Sequence, residues 1–299
     1  MKELSGIVIL NKEDGMTSQT AVKRLSRLLG VKKAGHTGTL DPMATGVLPI
    51  LVGRGVKASE YMLTSDKHYA ATLTLGITTD TEDTTGEVLS RSDNIPADEK
   101  IARVIESFVG EYMQTPPMYS ALKVGGKKLC DLAREGVTVE REARPVKIIS
   151  IDYKKLDERH WWLDVRCSKG TYIRTLCADI GAKLGCGGAM SSLMRVEASG
   201  FTLDLAHTLG EIEEMSEEER RALVIPIEAA FPNIPSVTLP DFYAKLAHSG
   251  LEIYLKKIGE RLEVGTRVKL FDREGFFALG EVREYEGGLA IKPIKQFRD

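Results

Sequence analysis

Residues 34–53 read AGHTGTLDPMATGVLPILVG, a stretch whose only ionisable side chains are His36 and Asp41. Its second half contains an apolar run at 48–52 that predicts a buried strand. Its first half is a loop rich in glycine and threonine, and the Asp41-Pro42 pair favours a turn. A lone carboxylate between a loop and a core strand is either a local cap or a reactive group in a partly dry site, where its charge must be paired.

Strands and amphipathic helices surround this stretch without the βαβ rhythm of a parallel sheet. Further strands are predicted at residues 7–10, 68–76, 147–157 and 160–170. Helices are predicted after a cap at Thr17 or Ser18, at 98–109, at 171–185 and from 216 onward, and residues 78–88 are predicted to form a polar loop. The expected fold class is α+β, with a mixed, largely antiparallel sheet flanked by helices.

The composition changes near residues 231–240, FPNIPSVTLP, where three prolines in ten residues predict a linker. Beyond it, the segments 264–272, 276–285 and 289–297 are typical of short strands at turn-rich spacing, which favours a small β-barrel. The sequence therefore predicts a catalytic domain over 1–236 and a small C-terminal domain over 237–299.

The composition places the chain among water-soluble proteins of the cytoplasm. Of its 299 residues, 42% are hydrophobic and 28% are charged, which is ordinary for a globular protein. No uncharged apolar run reaches the ~20 residues that cross a bilayer, and the start, MKELSGIVILNKEDG, has too short an apolar run for a secretion signal. The four cysteines form no CxxC pair, so neither a disulfide framework nor a zinc site is expected.

The net charge is −2, yet basic residues are concentrated in two regions. Residues 15–40 hold five Lys or Arg and no acid, and a second cluster lies between Lys123 and Lys147. A run of charge is usually a solvated face. Two basic regions in a nearly neutral chain nevertheless indicate a local track for a polyanion.

Four blocks, in this order, resemble the bacterial tRNA pseudouridine synthases that act on the T-loop uridine, tRNA position 55 (the TruB family). They read GHTGTLDPMATGVLP, KHYAATLTLGITTDTEDTTG, PPMYSALKVGGKKL and CSKGTYIRTL. The resemblance spans about residues 4–230, and past 236 the chain is similar to an RNA-binding PUA barrel. It implies an isomerase without cofactor or metal that acts on the T-stem-loop of tRNA. The sequence shows no sign of an obligate protein partner or a membrane, so a monomer is expected. Cys130 departs from the family, whose members commonly carry an aromatic residue there.

The resemblance implies that Asp41 is the catalytic aspartate, Arg174 its ion-pair partner, and Tyr69 the aromatic residue that stacks on the target base. Making pseudouridine breaks the N1–C1′ bond, turns the base and forms a C5–C1′ bond, with no atom gained or lost. The reaction needs an ionised carboxylate that attacks the sugar or the base, or that stabilises positive charge. An arginine stays charged and binds a carboxylate through two donors, so it favours the ionised form.

The resemblance also implies a set of substrate-binding residues. Tyr172 and Leu193 line the base pocket, and His36 helps to displace the base from its stack. Lys12 and Asp83 occupy further active-site positions. Extruding a base from its stack costs a few kcal/mol, and a pocket of aromatic and apolar groups then receives it.

Two other functions fit parts of the sequence. A non-catalytic RNA-binding or RNA-folding protein on the same scaffold would keep the basic regions and the barrel without needing Asp41. A glycoside-type hydrolase would use Asp41 with a second carboxylate across the bond, for which Asp83 is the nearest candidate. Each residue also has a common structural role: a tyrosine in a strand is usually core, and an arginine on an amphipathic helix usually lies at the surface.

Overall fold

The computed structural model describes residues 4–298, and most of its strands belong to two sheets. The strands are β1 Gly6–Lys12, β2 Ala34–His36, β3 Thr45–Val52, β4 Lys67–Leu75, β5 Ile77–Thr79, β6 Val88–Arg91, β7 Gly110–Gln114, β8 Lys123–Val124, β9 Lys127–Lys128, β10 Arg144–Lys155, β11 His160–Cys167, β12 Gly188–Ala198, β13 Phe201–Thr202, β14 Ser236–Thr238, β15 Ile253–Tyr254, β16 Arg267–Asp272, β17 Gly275–Tyr285 and β18 Gly288–Gln296. The helices are α1 Ser18–Leu28, α2 Ser59–Met62, α3 Asp98–Glu106, α4 Leu129–Arg134, α5 Ile173–Leu184, α6 Leu209–Glu214, α7 Glu217–Ala222, α8 Asp241–His248 and α9 Leu255–Ile258.

The larger sheet has the strand order β1-β3-β12-β4-β11-β10-β7, with β2 added to β3 and β13 to β12. Every pair in it is antiparallel except β12 with β3, so the predicted mixed, largely antiparallel sheet is confirmed. Helices α1, α3 and α5 contribute to one buried cluster with this sheet. The parallel contact joins the strand after the Asp41 loop to the centre of the sheet, which brings residues from distant parts of the chain together.

The pattern of apolar residues accounts for the elements beside this contact. In β4 the alternate residues Tyr69, Ala71, Leu73 and Leu75 are buried, as the alternation predicts. In α5 the apolar stripe, which includes Leu176 at 0% exposure, faces the same core, and Gly185 ends the helix in the left-handed conformation at φ 79°. Burying one such leucine side chain contributes roughly 1.5–3 kcal/mol.

Two parts of the large domain differ from the prediction. The supposed loop at 78–88 begins and ends in strands, because β5 and β6 pair as a short hairpin around the acidic turn. Strand β12 was not predicted at all, since Gly188, Ser191 and Ser192 break the alternation of apolar residues and two bulges interrupt its register with β4. Its pairing on both edges makes it a strand despite that composition.

The predicted linker at 231–240 is wrong. Its residues 236–238 form β14, which pairs in parallel with β16 of the second sheet. Phe231 is 3% exposed and packs with Phe276 and Phe297 of that sheet. The prolines therefore fix the chain at a packed joint between the two sheets.

The second sheet has the order β14-β16-β17-β18-β15 and curls into a half-barrel, as the turn-rich strands predicted. Helices α8 and α9, which were not predicted, pack on it through Ala244, Ala247 and Leu255. Within residues 4–298, the structure contains no helix that is both long and apolar enough to span a membrane.

Candidate active site

Asp41 lies in the loop between β2 and β3. It both closes a local turn through its backbone and pairs its carboxylate with a cation, the two roles that the sequence left as alternatives. Its backbone carbonyl accepts a hydrogen bond from the amide of Ala44 at 3.0 Å, which closes the turn. Its carboxylate instead faces Arg174, whose Nε lies 2.8 Å from Oδ2 and whose Nη2 donates to Oδ1 at 3.2 Å. Two parallel donors on one carboxylate form a strong and geometrically specific pair. The turn thus positions the Asp41 side chain, whose carboxylate is bound by Arg174.

Arg174 stands in the first turn of α5 and is almost buried, whereas the Asp41 side chain is 31% exposed. Its Nη1 donates to the carbonyl of Thr81 at 3.0 Å, and its Nη2 also donates to the carbonyl of Tyr119 at 2.9 Å. The guanidinium is therefore fixed from three sides. The carboxylate is the member of the pair that remains open to a reactant.

Asp83 is the second carboxylate beside this arginine, with Oδ2 3.6 Å from Nη1 of Arg174. It is 4% exposed, and its Oδ1 accepts hydrogen bonds from the Thr81 hydroxyl at 2.8 Å and the Thr85 amide at 3.0 Å. The structure therefore places Asp83 behind Arg174, where it orients the guanidinium.

Burial raises the pKa of Asp41 above its ordinary value, the Arg174 charge opposes that rise, and the Asp83 charge adds to it. Hydroxyls of Tyr69 and Tyr172 lie within electrostatic reach of Asp41. Burial raises the pKa of both tyrosines, so both phenols are protonated at neutral pH. The site therefore combines the partly exposed Asp41 carboxylate with two protonated phenols.

Tyr172 is held immediately before α5 by an amide side chain that the sequence analysis did not single out. Gln114 accepts a hydrogen bond from the Tyr172 amide at 2.8 Å and donates one to the Tyr172 carbonyl at 3.0 Å. Gln114 is 1% exposed at the end of β7. Both bonds fix the backbone two residues before Arg174.

A cavity of about 520 Å³ opens beside the Asp41 loop. Its walls include Met43 and Thr45 from the loop, Ala70 from β4 and Leu193 from β12. A volume of this size fits a small organic ligand such as a nucleoside. Leu193 lines this cavity, whereas Asp41, Arg174, Tyr69 and Tyr172 are not among its lining residues.

Lys12 ends β1 and is fully buried. Its ammonium donates to the carbonyl of Pro42 at 3.0 Å and to that of Glu13 at 2.8 Å. The structure therefore places Lys12 beneath the Asp41 loop, with its donors directed at the backbone.

His36 ends β2, and its Nδ1 accepts a hydrogen bond from the Gly38 amide at 3.3 Å. Burial and then the nearby charge of Arg195 lower the pKa of His36. The ring is therefore neutral at physiological pH, with its proton on Nε2. A neutral ring can stack in place of a base at lower cost than a charged one.

Among residues 4–298, the structure holds no cluster of three or more His, Cys, Asp or Glu side chains arranged for a metal ion. The predicted residues Asp41, Arg174, Asp83, Lys12 and the two tyrosines come together around one point. Leu193 lines the cavity that Met43 and Thr45 of the Asp41 loop also border, and His36 lies at the end of the neighbouring strand β2.

Two family models match the chain: TruB family pseudouridylate synthase (N terminal domain) over residues 26–173, and tRNA pseudouridylate synthase B C-terminal domain over 174–232. The chain is similar to tRNA pseudouridine synthase B of Alkaliphilus oremlandii (strain OhILAs), with 42% identity over 282 residues and 94% of each chain covered. The protein of the same name from Francisella tularensis subsp. novicida (strain U112) is 41% identical, covering 93% of this chain and 91% of the relative. Among solved structures, a crystal structure of a Cbf5–Nop10–Gar1 complex matches with a TM-score of 0.72 and 26% identity, over 98% of this chain and 84% of that one.

Proposed function

This chain belongs to the TruB family of pseudouridylate synthases, and from that premise we propose that it isomerises the T-loop uridine of tRNA, position 55, to pseudouridine. The observation that carries the proposal is the Asp41–Arg174 pair beside a cavity of nucleoside size. Uridine and pseudouridine have the same atoms, so one charged carboxylate and a shaped pocket suffice as the chain's contribution. We also propose that it acts on tRNA as a monomer.

The reaction begins when the uridine leaves its stack and enters the cavity. The Tyr69 ring stacks on the base, Tyr172 and Leu193 bound the pocket, and the neutral ring of His36 fills the vacated space. The N1–C1′ bond then breaks while Asp41 attacks C1′ of the ribose, adds to a carbon of the base, or stabilises the cationic sugar. After the base has turned, the C5–C1′ bond forms and releases Asp41, C5 loses its proton and N1 takes one up.

Asp83 and Lys12 act in this proposal through other groups. Asp83 is buried against Arg174 and keeps its guanidinium aligned on Asp41. Lys12 is buried under the loop and holds the Pro42 carbonyl next to the reactive carboxylate. Both are therefore positioning residues, which refines the substrate contact that the resemblance implied for them.

The RNA contacts extend beyond the pocket. The hairpin of β8 and β9 exposes Lys123, Lys127 and Lys128 at its tip, and the same segment reaches the site through the Tyr119 carbonyl on Arg174. We assign the hairpin to the tRNA backbone, and the C-terminal domain over 237–299 to a PUA-like RNA contact. We further propose that the protein acts in the cytoplasm, where bacterial tRNA is found.

Incubation with unmodified tRNA, followed by chemical mapping of pseudouridine, tests the function. We expect one new pseudouridine in the T loop and none in a tRNA with cytidine at that position. Release of free uracil would instead support a hydrolase. Unaltered tRNA that nevertheless refolds faster in the presence of the protein would support the RNA-folding alternative.

The pH profile of the reaction follows from the charge of Asp41. The step needs the ionised carboxylate, and burial raises its pKa, so activity is lost as pH falls through a midpoint above that of an ordinary aspartate. Single-turnover rates between pH 4 and about 8 measure this midpoint. A profile that stays flat down to the ordinary pKa of aspartate would contradict the assignment.

Replacing Lys123, Lys127 and Lys128 with alanine is expected to weaken tRNA binding and its dependence on salt. Each lost phosphate contact lowers the slope of log K against log salt by about 0.7, so the triple variant should lose about 2. Binding measured across a salt series gives the slope. The control replaces Lys100 and Lys183, which lie on helices α3 and α5, with alanine. The slope should then change by less than about 0.7, the value for one lost phosphate contact. An unchanged slope in the triple variant would remove the hairpin from the RNA surface.

A further inference from the structure

Four residues form one row across neighbouring strands directly under the Asp41 loop. Lys12 of β1 is opposite Gly46 of β3, Gly46 is opposite Arg195 of β12, and Arg195 is opposite Tyr69 of β4. Both cations in the row are buried, Lys12 at 0% exposure and Arg195 at 2%. The row therefore places two buried positive charges on either side of a glycine, beneath the reactive carboxylate.

Arg195 has an unusual environment for a buried arginine. Within residues 4–298 it forms no ion pair with a carboxylate. Its Nε donates to the carbonyl of Val47 at 2.7 Å, and its Nη2 donates to the carbonyl of Gly38 at 3.1 Å. A buried charge without a counter-ion is costly, so a purely structural role would be served better by a neutral side chain.

The two carbonyls that Arg195 binds lie on opposite sides of Asp41 in the chain. Gly38 precedes the carboxylate by three residues and Val47 follows it by six. Lys12 adds a third anchor at Pro42. The loop is thus held at three backbone points by two cations, and the carboxylate stands between these points.

Gly46 shows how closely β12 approaches this loop. Its φ is +100°, and a Cβ there would meet the backbone oxygen of Arg195 at 2.3 Å. A side chain at position 46 would push the strands apart and withdraw the guanidinium from Gly38. The glycine is therefore required for the contact that Arg195 makes.

Arg195 also reaches Tyr69, its neighbour across the β4–β12 pair. The positive charge of Arg195 lowers the pKa of Tyr69, opposing the larger rise that burial causes. Tyr69 and the loop that carries Asp41 thus have the same guanidinium as a neighbour. A shift of Arg195 would move both groups relative to each other.

We propose that Arg195 is a positioning residue for the isomerisation, which holds the Asp41 loop at Gly38 and Val47 and aligns it with the Tyr69 ring. The inference rests on the proposed function, because it assigns a purpose to geometry around the proposed reacting groups. Different nitrogens of one planar guanidinium reach the carbonyls of Val47 and Gly38, and a lysine ammonium in the same place lacks that geometry.

Arg195→Lys and Arg195→Met test the proposal, with Arg220→Met as the matched control. Arg220 also directs its donors at backbone carbonyls, those of Ile212 at 2.8 Å and Glu213 at 2.7 Å, but it lies on α7. Single-turnover rate, tRNA affinity and thermal midpoint are measured for all three. We expect Arg195→Lys to slow the chemical step about 100-fold, as a displacement of ~1 Å does, with affinity within about threefold. Arg220→Met should lower the midpoint without slowing that step.

Two measurements on the free protein do not depend on activity. The Ala44 amide, which closes the Asp41 turn, should exchange its hydrogen at least about tenfold faster in Arg195→Met, relative to the core amide of Leu73. The pKa of His36 followed by NMR should rise in Arg195→Met and stay near its starting value in Arg195→Lys, because only the first variant removes the charge.

An Arg195→Lys variant with the full single-turnover rate would overturn the proposal, and so would Ala44 exchange that matches the wild-type protein in Arg195→Met. A slower step in Arg220→Met at an equal loss of thermal midpoint would also overturn it, since general destabilisation would then explain the rate. Absence of pseudouridine with the wild-type protein would overturn the proposed function instead, while the exchange measurement would still decide whether Arg195 holds the loop.

Discussion

Asp41→Asn is expected to abolish isomerisation, with a loss of at least about 1,000-fold in the single-turnover rate. Removal of one hydrogen-bond donor to a transition state already costs about 100- to 1,000-fold, and Asp41 is proposed to bear the reacting charge itself. The asparagine keeps the size of the side chain and one oxygen that can accept from Arg174. Affinity for tRNA should stay within about threefold, because the stacking surfaces and the basic regions are unchanged.

The control for this variant is Asp66→Asn, at a carboxylate just before β4, which should retain the wild-type rate. Pseudouridine is quantified after one turnover, and tRNA binding is measured by filter retention. Full activity in Asp41→Asn would remove the assignment of the reacting group. A parallel loss of affinity and rate would mean that Asp41 binds the RNA without taking part in the chemical step.

Arg174→Lys is expected to slow the chemical step by about 100-fold or more and to lower stability. The guanidinium serves Asp41 with two donors and the carbonyls of Thr81 and Tyr119 with two more, whereas an ammonium has three donors and no planar fork. Arg174→Ala is more severe, since it leaves Asp83 buried without its cation. Breaking a buried pair in this way costs roughly 3–5 kcal/mol.

The pH profile separates loss of charge from loss of geometry in these variants. With Arg174→Ala the opposing positive charge is gone, so the acid midpoint of any residual activity should move to higher pH than in the wild-type protein. Arg174→Lys should move it less. The control is Arg221→Lys, whose partner Glu217 lies 3.1 Å away in an exposed pair, and neither rate nor thermal midpoint should change there. An Arg174→Lys variant with unchanged rate would point to another partner for Asp41.

Elements with a regular local pattern were predicted from the sequence. The alternation of Tyr69, Ala71 and Leu73 predicts β4, and the apolar stripe through Leu176 with Gly185 behind it predicts α5. These signals are local, because they depend on which side of a single element is buried. They do not depend on the neighbouring elements.

What the sequence did not predict depends on contacts between distant segments. Strand β12 is recognisable only through its partners β3 and β4, and its small polar residues hide it otherwise. The burial of Arg195 follows from that placement, and a charged side chain is expected at the surface by default. The pairing of Asp41 with Arg174 spans 133 positions and came from family resemblance, since the helix pattern alone favours an exposed arginine.

The error at residues 231–240 came from the composition. Proline-rich segments are often flexible connections, but here Pro232 and Pro235 flank residues that pack or pair. Phe231 lies among aromatic residues of the second sheet, and Lys295 of that sheet forms an ion pair with Glu60 at 2.7 Å. Domain contacts of this apolar kind limit relative motion.

The aromatic contacts of Phe231 with Phe276 and Phe297 connect the half-barrel to the rest of the molecule. Asp41 lies on one side of this joint and the half-barrel on the other, and the packing of Phe231 at the joint opposes changes in the spacing between them. An RNA that touches both must present its uridine at one distance from its second point of contact. The distance along the RNA between its two contact points, in addition to the nucleotide sequence around the uridine, would then decide which nucleotide enters the active site.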